Sequence, residues 1–378
     1  MSKTTLYLLQ FLTTGSQVSL FILLPFIQKD FNLSLFEVGL LGAISTGSII
    51  VFSFFAGAIT ERAGGRNVIL ISLMCNILSW ILLVIAPSLI ILWLVFIFSG
   101  VMSGLFGPVS NALVANNSES YNRGKIMGDF KAFGDIGKIV MTSISTFLVG
   151  LFLWRFTSLL FAIMTISLFM LYFFTQKNKK EGEPIIKTKR TSIRLLLTHK
   201  KYVYSLLVSV TDAFAGASLF IFLPFLLITK GVDLKATGFF TALFFAGYLI
   251  GRLTLGRIAD RLGKPQILIF AEICMSLLIF SLVYLSSYWL ITLNLFLLGI
   301  FTLGTSPIIK ALVAEGLEKH QFEKGYSLNA SLEHTVSALG RAALGLVAAY
   351  FGIQNMFCLA GVLILLTIIP AIKLYNLS

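Results

Sequence analysis

Apolar residues run in long blocks along this chain, not in stripes with a polar face opposite. Blocks of about 20 residues can carry a helix across the hydrocarbon core of a bilayer. They predict spans at 5–27, 36–59, 67–86, 89–114, 125–150, 154–175, 202–228, 234–258, 265–286, 288–312, 326–350 and 352–373. Most have no face fit for water, which excludes a large soluble helical protein. An even number of spans returns both termini to the same side of the membrane.

The pattern is written twice. SLFILLPF at 19–26 returns as SLFIFLPF at 218–225, and GAITERAG at 57–64 returns as GRIADRLG at 256–263. Pro108 with Ala112, Leu113, Val114 and Ala115 returns as Pro307 with Ala311, Leu312, Val313 and Ala314. One offset of about 199 residues joins all three pairs, so they come from a single duplication. The expected organisation is a six-helix bundle over 1–175, a linker over 176–201 and a second six-helix bundle over 202–378.

Composition fits this picture: 57% of residues are hydrophobic and 12% charged, outside the range of soluble domains. The net charge of +13 would suit nucleic acid, but its placement argues otherwise. With the N-terminus in the cytoplasm, about twenty Lys and Arg fall in inner loops and termini and about four (Lys29, Arg155, Lys230, Lys235) in outer ones. The charge is a topology signal, and no nucleic-acid partner is expected. Its densest run, Lys177 to Lys201, is the linker; Ile193 to Leu197 within it suits a short amphipathic turn on anionic lipid or, equally, a plain solvated linker. Cys75, Cys274 and Cys358 sit in apolar blocks and read as packing residues, with no metal-binding spacing and no cofactor implied. No nucleotide-binding loop is present, so ATP is not the expected energy source. The first block is too long for a signal peptide and is expected to stay as the first span.

The repeated loop between the second and third spans of each half is specific. It has the form Gly-x-x-x-acid-Arg-x-Gly followed by a basic residue: Gly57, Glu61, Arg62, Gly64 and Arg66, then Gly256, Asp260, Arg261, Gly263 and Lys264. With the duplication and the central basic loop, it resembles the signature of the major facilitator superfamily across the whole chain. That resemblance implies an all-α fold of twelve transmembrane helices in two pseudo-twofold-related bundles. Spans 1, 4, 7 and 10 would line a central cavity, 2, 5, 8 and 11 the seam between halves, and 3, 6, 9 and 12 would face lipid. The loop's glycines permit a tight turn and close approach, while acid and Arg can form a latch that breaks as the halves rock. Two features depart from the proton-coupled drug exporters of the family. Phe96 stands where those carry an Arg four residues before Gly100, and Asp135 stands where Pro is usual in the fifth-span glycine motif.

A charge at membrane depth is costly unless paired or wetted, so each one needs a reason. Asp212 falls near the middle of the seventh span and Thr13 holds its place in the first, followed by Gln17. The fifth span sets Lys131, Asp135 and Lys138 on one face. Asp129 there and Arg252 in the eighth span are at similar depth and suit a bridge, either a gate or a static pair that fixes helix packing. The eleventh span places Glu333, Ser337 and Arg341 on one face, with His334 beside them. Asp212, Asp135, Glu333 and His334 are therefore proton-coupling candidates. Thr13, Gln17, Asn111, Asp212, Lys310 and Arg341 are candidates for the substrate cavity. Glu272 in the ninth span reads as a structural residue, protonated or paired, and matched kinks are expected at Pro108 and Pro307.

The expected function is secondary active transport of a small organic solute across a prokaryotic cytoplasmic membrane, by alternating access and with protons as coupling partner. Efflux is the first expectation; proton symport or facilitated import of a charged or zwitterionic solute is the alternative. A transporter-like sensor that binds without turnover is the alternative of another class. The chain is expected to be no enzyme and to work as a monomer among membrane lipids.

Overall fold

The computed structural model describes residues 3–116, 123–175, 193–302, 304–318 and 321–377. Most of the expected linker lies outside them. The described residues fold into helices and short connections, as lipid demands: backbone polar groups there must be satisfied within the chain. In order these are α1 (Lys3–Ile22), α2 (Leu24–Phe31), α3 (Leu35–Ala63), α4 (Gly65–Ile85), α5 (Leu89–Asn116), α6 (Arg123–Leu151) and α7 (Trp154–Thr175). The second half adds α8 (Ile193–Leu196), α9 (Lys200–Thr229), α10 (Thr237–Leu262), α11 (Lys264–Tyr284), α12 (Tyr288–Thr302), α13 (Ser306–Glu315), α14 (Phe322–Phe351), α15 (Ile353–Leu366) and α16 (Ile368–Tyr375).

Among the described residues, eleven segments are long and apolar enough to cross a membrane, against the twelve spans expected. Helix α14 is the difference. Its 30 residues are ample in length, but Glu323, Lys324, Glu333, His334 and Arg341 dilute its apolar character. The first, tenth and twelfth passes are each built from two helices: α1 with α2, α12 with α13, and α15 with α16.

The helices form two compact units. The first holds α1, α2, α3 from Leu40, α4 to α7 and residues 234–239; the second holds residues 35–39, α8, α9, α10 from Phe240 and α11 to α16. Their cores are built at register-matched positions 199 residues apart. Leu9, Ala56, Ile69, Val109 and Tyr172 belong to the core of the first unit. Val208, Leu255, Leu268, Ile308 and Ala371 belong to the core of the second. Large side chains outside these cores, such as Phe54, Tyr284, Trp289 and Tyr350, are more than three-quarters exposed. Tyr284, Trp289 and Tyr350 stand at helix ends, where amphipathic rings favour the headgroup level.

Proline acts differently in the two copies. Pro108 stays inside a continuous α5, whereas Pro307 opens α13, so the two prolines do not interrupt their helices alike. Proline cannot donate to the carbonyl four residues back. In the first unit that carbonyl, Gly104 O, accepts instead from the Ser53 hydroxyl at 3.2 Å. Arg252 holds the place of Ser53 in the second unit and donates to the Tyr248 hydroxyl at 3.0 Å, within its own helix.

The far ends of α4 and α11 are capped alike from different sources. Arg155 donates to Val84 O and Ala86 O at 2.8 and 3.0 Å. Lys230 donates to Val283 O and Leu285 O, the repeat equivalents, at 2.7 and 2.6 Å. A cation against terminal carbonyls is the arrangement the helix dipole favours. Burial holds the Lys230 ammonium below the ordinary lysine range. The turn expected at Ile193–Leu197 forms the short helix α8 over Ile193–Leu196. Leu196 is fully buried with Tyr202, Leu206 and Val313, leaving Leu195 and Leu197 exposed.

Candidate functional site

The repeated loop owes its shape to its second glycine. Gly64 (φ 81°) and Gly263 (φ 101°) adopt left-handed backbone just before α4 and α11, where any side chain would be strained. The first glycines, Gly57 and Gly256, lie inside helices with room for a Cβ, so close approach is not their purpose. Glu61, Arg62, Asp260 and Arg261 are exposed. The ion pairs belong to the residue after the loop. Lys264 reaches Glu315 at 2.7 Å and Asp260 at 3.5 Å, and Glu315 also binds Lys201 at 2.9 Å. This ties the starts of α9 and α11 to the end of α13. In the first unit Asn116 stands at the position of Glu315, and Arg66 instead donates to Phe173 O at 3.4 Å and lies over the Phe173 ring.

In the first unit, α1 and α6 pack through glycine. A Cβ at Gly137 would collide with Phe11 O, and one at Gly15 would meet Gly137 O at 2.6 Å. Beside that contact Asp135 is buried and pairs with Lys138 at 3.0 Å, while Lys131 lies over the Phe130 ring. Asp129 is on the exposed face of α6. Thr13 donates to Leu9 O on its own helix at 2.7 Å, Gln17 is half-buried, and Asn111 keeps a buried Oδ1 with no hydrogen bond. One turn beyond Thr13 lies a closed neutral network. The Ser16 hydroxyl accepts from Trp80 Nε1 at 2.6 Å and from Asn76 Nδ2 at 3.3 Å, and Asn76 Nδ2 reaches Thr165 Oγ1 at 3.5 Å.

In the second unit, α9 packs against α14 at the matching contact, where a Cβ at Gly340 would collide with Phe214 O. Around it the predicted acids converge. Glu333 Oε1 accepts from Ser209 Oγ at 2.5 Å and from Asn329 Nδ2 at 2.9 Å, and Ser337 donates to Ala213 O at 3.3 Å. Asp212 feels the charge of Glu333, and its Oδ1 is buried without a hydrogen bond. Among the described residues it makes no ion pair. His334, half-buried, feels Glu333, Arg341 and Lys310. Lys310 itself is exposed, and Tyr326 donates to its backbone carbonyl at 3.0 Å. Ser209, Asn329 and Glu315 were missed from sequence. The first two lie one turn from predicted residues, which is the signal that could have found them.

Comparison with known proteins follows the repeat. The family model described as Major Facilitator Superfamily matches residues 6–240 and again 205–377. The multi-drug resistance efflux pump PmrA of Streptococcus pneumoniae is 23% identical over 91% of this chain and 88% of its own. The uncharacterized MFS-type transporter YwfA of Bacillus subtilis is 23% identical over 86% of this chain and 83% of its own. Among solved structures, a mutant of the nucleoside transporter NupG gives a TM-score of 0.83 at 12% identity, covering 99% of each chain. The D-xylose-proton symporter gives 0.82 at 15% identity, covering 99% of this chain and 96% of its own. At such identities these likenesses speak for the fold alone.

Proposed function

The chain belongs to the major facilitator superfamily, a family of transporters and not of enzymes, and on that premise we propose that it exports a small organic solute in exchange for protons. The work is done by alternating access in a bacterial cytoplasmic membrane, with both termini cytoplasmic. Support for efflux comes from likeness to PmrA and to the multidrug resistance protein MdtG of Salmonella paratyphi C, 24% identical over 86% of this chain and 82% of its own.

Proton coupling rests on Asp212. It lies a dozen residues into α9, about 18 Å along the helix. Its Oδ1 is unpartnered, and its electrostatic neighbour is another acid, Glu333. A carboxyl so placed is poor as a structural anchor and well suited to taking and releasing a proton. The mixture of acids and bases favours a charged or zwitterionic solute over a purely lipophilic cation, and the departures at Phe96 and Asp135 set the chain apart from the usual arrangement of the drug exporters.

The test starts with a thermal-shift screen of organic cations, anions and zwitterions, followed by transport of labelled hits in proteoliposomes. An imposed pH gradient should drive accumulation against the solute gradient. Asp212→Asn should abolish that drive while retaining part of solute exchange. Undiminished gradient-driven transport in Asp212→Asn removes the residue from the mechanism. Solute moving in the same direction as protons reverses the proposal to symport, and binding without exchange makes the protein a sensor.

A further inference from the structure

The position of Glu272 is not explained by packing. It lies in α11, is fully buried, and neither carboxyl oxygen has a hydrogen bond. The core below it supplies the register. Val208 in α9, Leu268 in α11 and Ala371 in α16 share one apolar cluster. One turn further from the cytoplasmic end, these helices reach Asp212, Glu272 and Thr367. Both α9 and α11 pack on α15 and α16, and Thr367 sits at the junction of that pair. The three residues therefore form one polar layer. Asp212 Oδ1, both Glu272 oxygens and Thr367 Oγ1 are all buried without a hydrogen bond. Glu272 also feels the charge of Asp212.

At the equivalent positions the first unit has Thr13, Leu73 and Leu168. The leucines belong to its apolar core, and the threonine is satisfied by its own helix. The fold thus needs no acid at this point. The other charged groups on the helices packed against α11 are Lys310 and Glu315 on α13 and Lys373 on α16, with Lys264 on α11 itself. Lys264 and Glu315 pair with each other, and Lys310 and Lys373 are exposed. Asp212 is the ionisable neighbour that acts on Glu272. No group of acids, histidines or cysteines among the described residues is arranged to hold a metal ion.

We propose that Glu272 is a proton-binding site of the C-terminal unit and shares a proton with Asp212. Two like charges held away from water disfavour the doubly ionised state, so Glu272 titrates together with Asp212, on which Glu333 of α14 also acts. In the transfer step the O–H bond of Glu272 breaks as one forms on the Asp212 carboxylate. Glu272 then bears the charge until it is reprotonated. Asp212 exchanges the proton, and Glu272 stores it out of reach of solvent. This rests on the proton-coupled reading above and extends it to a residue that reading does not require.

The test is infrared difference spectroscopy of the purified full chain through a pH titration, following the carbonyl stretch of protonated carboxyls. The wild type should show a band that shifts in deuterated buffer and titrates in two steps. Glu272→Gln should lose the component assigned to Glu272 and leave a single step, and Asp212→Asn should keep that component with its midpoint moved. If Glu272→Gln fails to fold, Glu272→Leu carries the residue of the other half and should show the same loss. A spectrum unchanged by either variant overturns the proposal, as does a response to sodium chloride at fixed pH in place of a response to protons. Loss of the Glu272 band without any pH-gradient-driven transport leaves the site and removes the coupling. Gradient-driven transport lost in Asp212→Asn, with no band from Glu272, does the reverse.

Discussion

The two units solve the same packing problem with their polar residues one turn apart. In the first, Ser16, Asn76, Trp80 and Thr165 bond to one another. Their equivalents in the second are Ala215, Met275, Ile279 and Ile364, all fully buried and apolar. In the second, Asp212, Glu272 and Thr367 leave buried atoms unbonded, where the first has Thr13, Leu73 and Leu168. A satisfied network rigidifies and fixes helix positions. An unsatisfied one costs stability and is retained where function uses it. Duplication supplied two equal frames. At this level of the bundle one frame is closed with hydrogen bonds, and the other keeps buried oxygens without them.

The reciprocal graft gives the largest effect. Leu73→Glu places an acid in the apolar core of the first unit. It should cost about 3 to 5 kcal/mol, the range for an uncompensated buried charge, read as a fall in thermal midpoint of the purified protein. A loss no larger than that of a surface substitution would show that the two layers are equally tolerant, and the contrast between the units would fail. The opposite change, Glu272→Leu, removes two unbonded oxygens and restores the residue of the other copy. It should stabilise by about 1 to 3 kcal/mol while impairing proton-driven transport. Destabilisation there would mean that Glu272 is held by bonds the fold depends on.

Much of this was legible in the sequence. Long apolar blocks fixed the helices because lipid leaves the backbone no other choice. The doubled loop marked the family because its left-handed glycines recur at Gly64 and Gly263. Asp212 and Glu333 stood out as acids inside apolar blocks. What could not be read was rotation about each helix axis. Glu272 read as a structural residue because the resemblance sets the whole ninth span toward lipid, and helix periodicity is too faint to correct that where nearly every residue is apolar. Ser209 gave no sign of its bond to Glu333, since serine is common in such helices and usually bonds its own backbone, as Ser205 does to Lys201 O. Pro108 and Pro307 read alike because their difference lies in the residues around them. Subtracting one half from the other is the sharper reading: Glu against Leu73, and Thr against Leu168.

The neutral network can be tested more gently. Trp80→Phe keeps an aromatic ring stacked on Phe161, now 4.7 Å away between centroids, but removes the Nε1–H that Ser16 accepts. It should cost about 1 to 2 kcal/mol and leave the pH dependence of transport in place. A shift in that dependence would mean that the first unit also carries protons, and the division of labour between the units would disappear.

The smallest effect separates packing from proton handling at one atom. Thr367→Val exchanges a hydroxyl for a methyl of nearly the same size, at a fully buried site where Oγ1 has no hydrogen bond among the described residues. If the residue only fills space, the variant should gain up to about 1 kcal/mol with transport unchanged. Placed in a layer with Asp212 and Glu272, the hydroxyl has a second use, because it can both accept from a protonated carboxyl and donate to an ionised one. The expected outcome is therefore a small gain in thermal midpoint together with a displaced pH profile of transport. A gain in stability with an unmoved profile would confine the proton to the two carboxyls and reduce the polar layer to a pair.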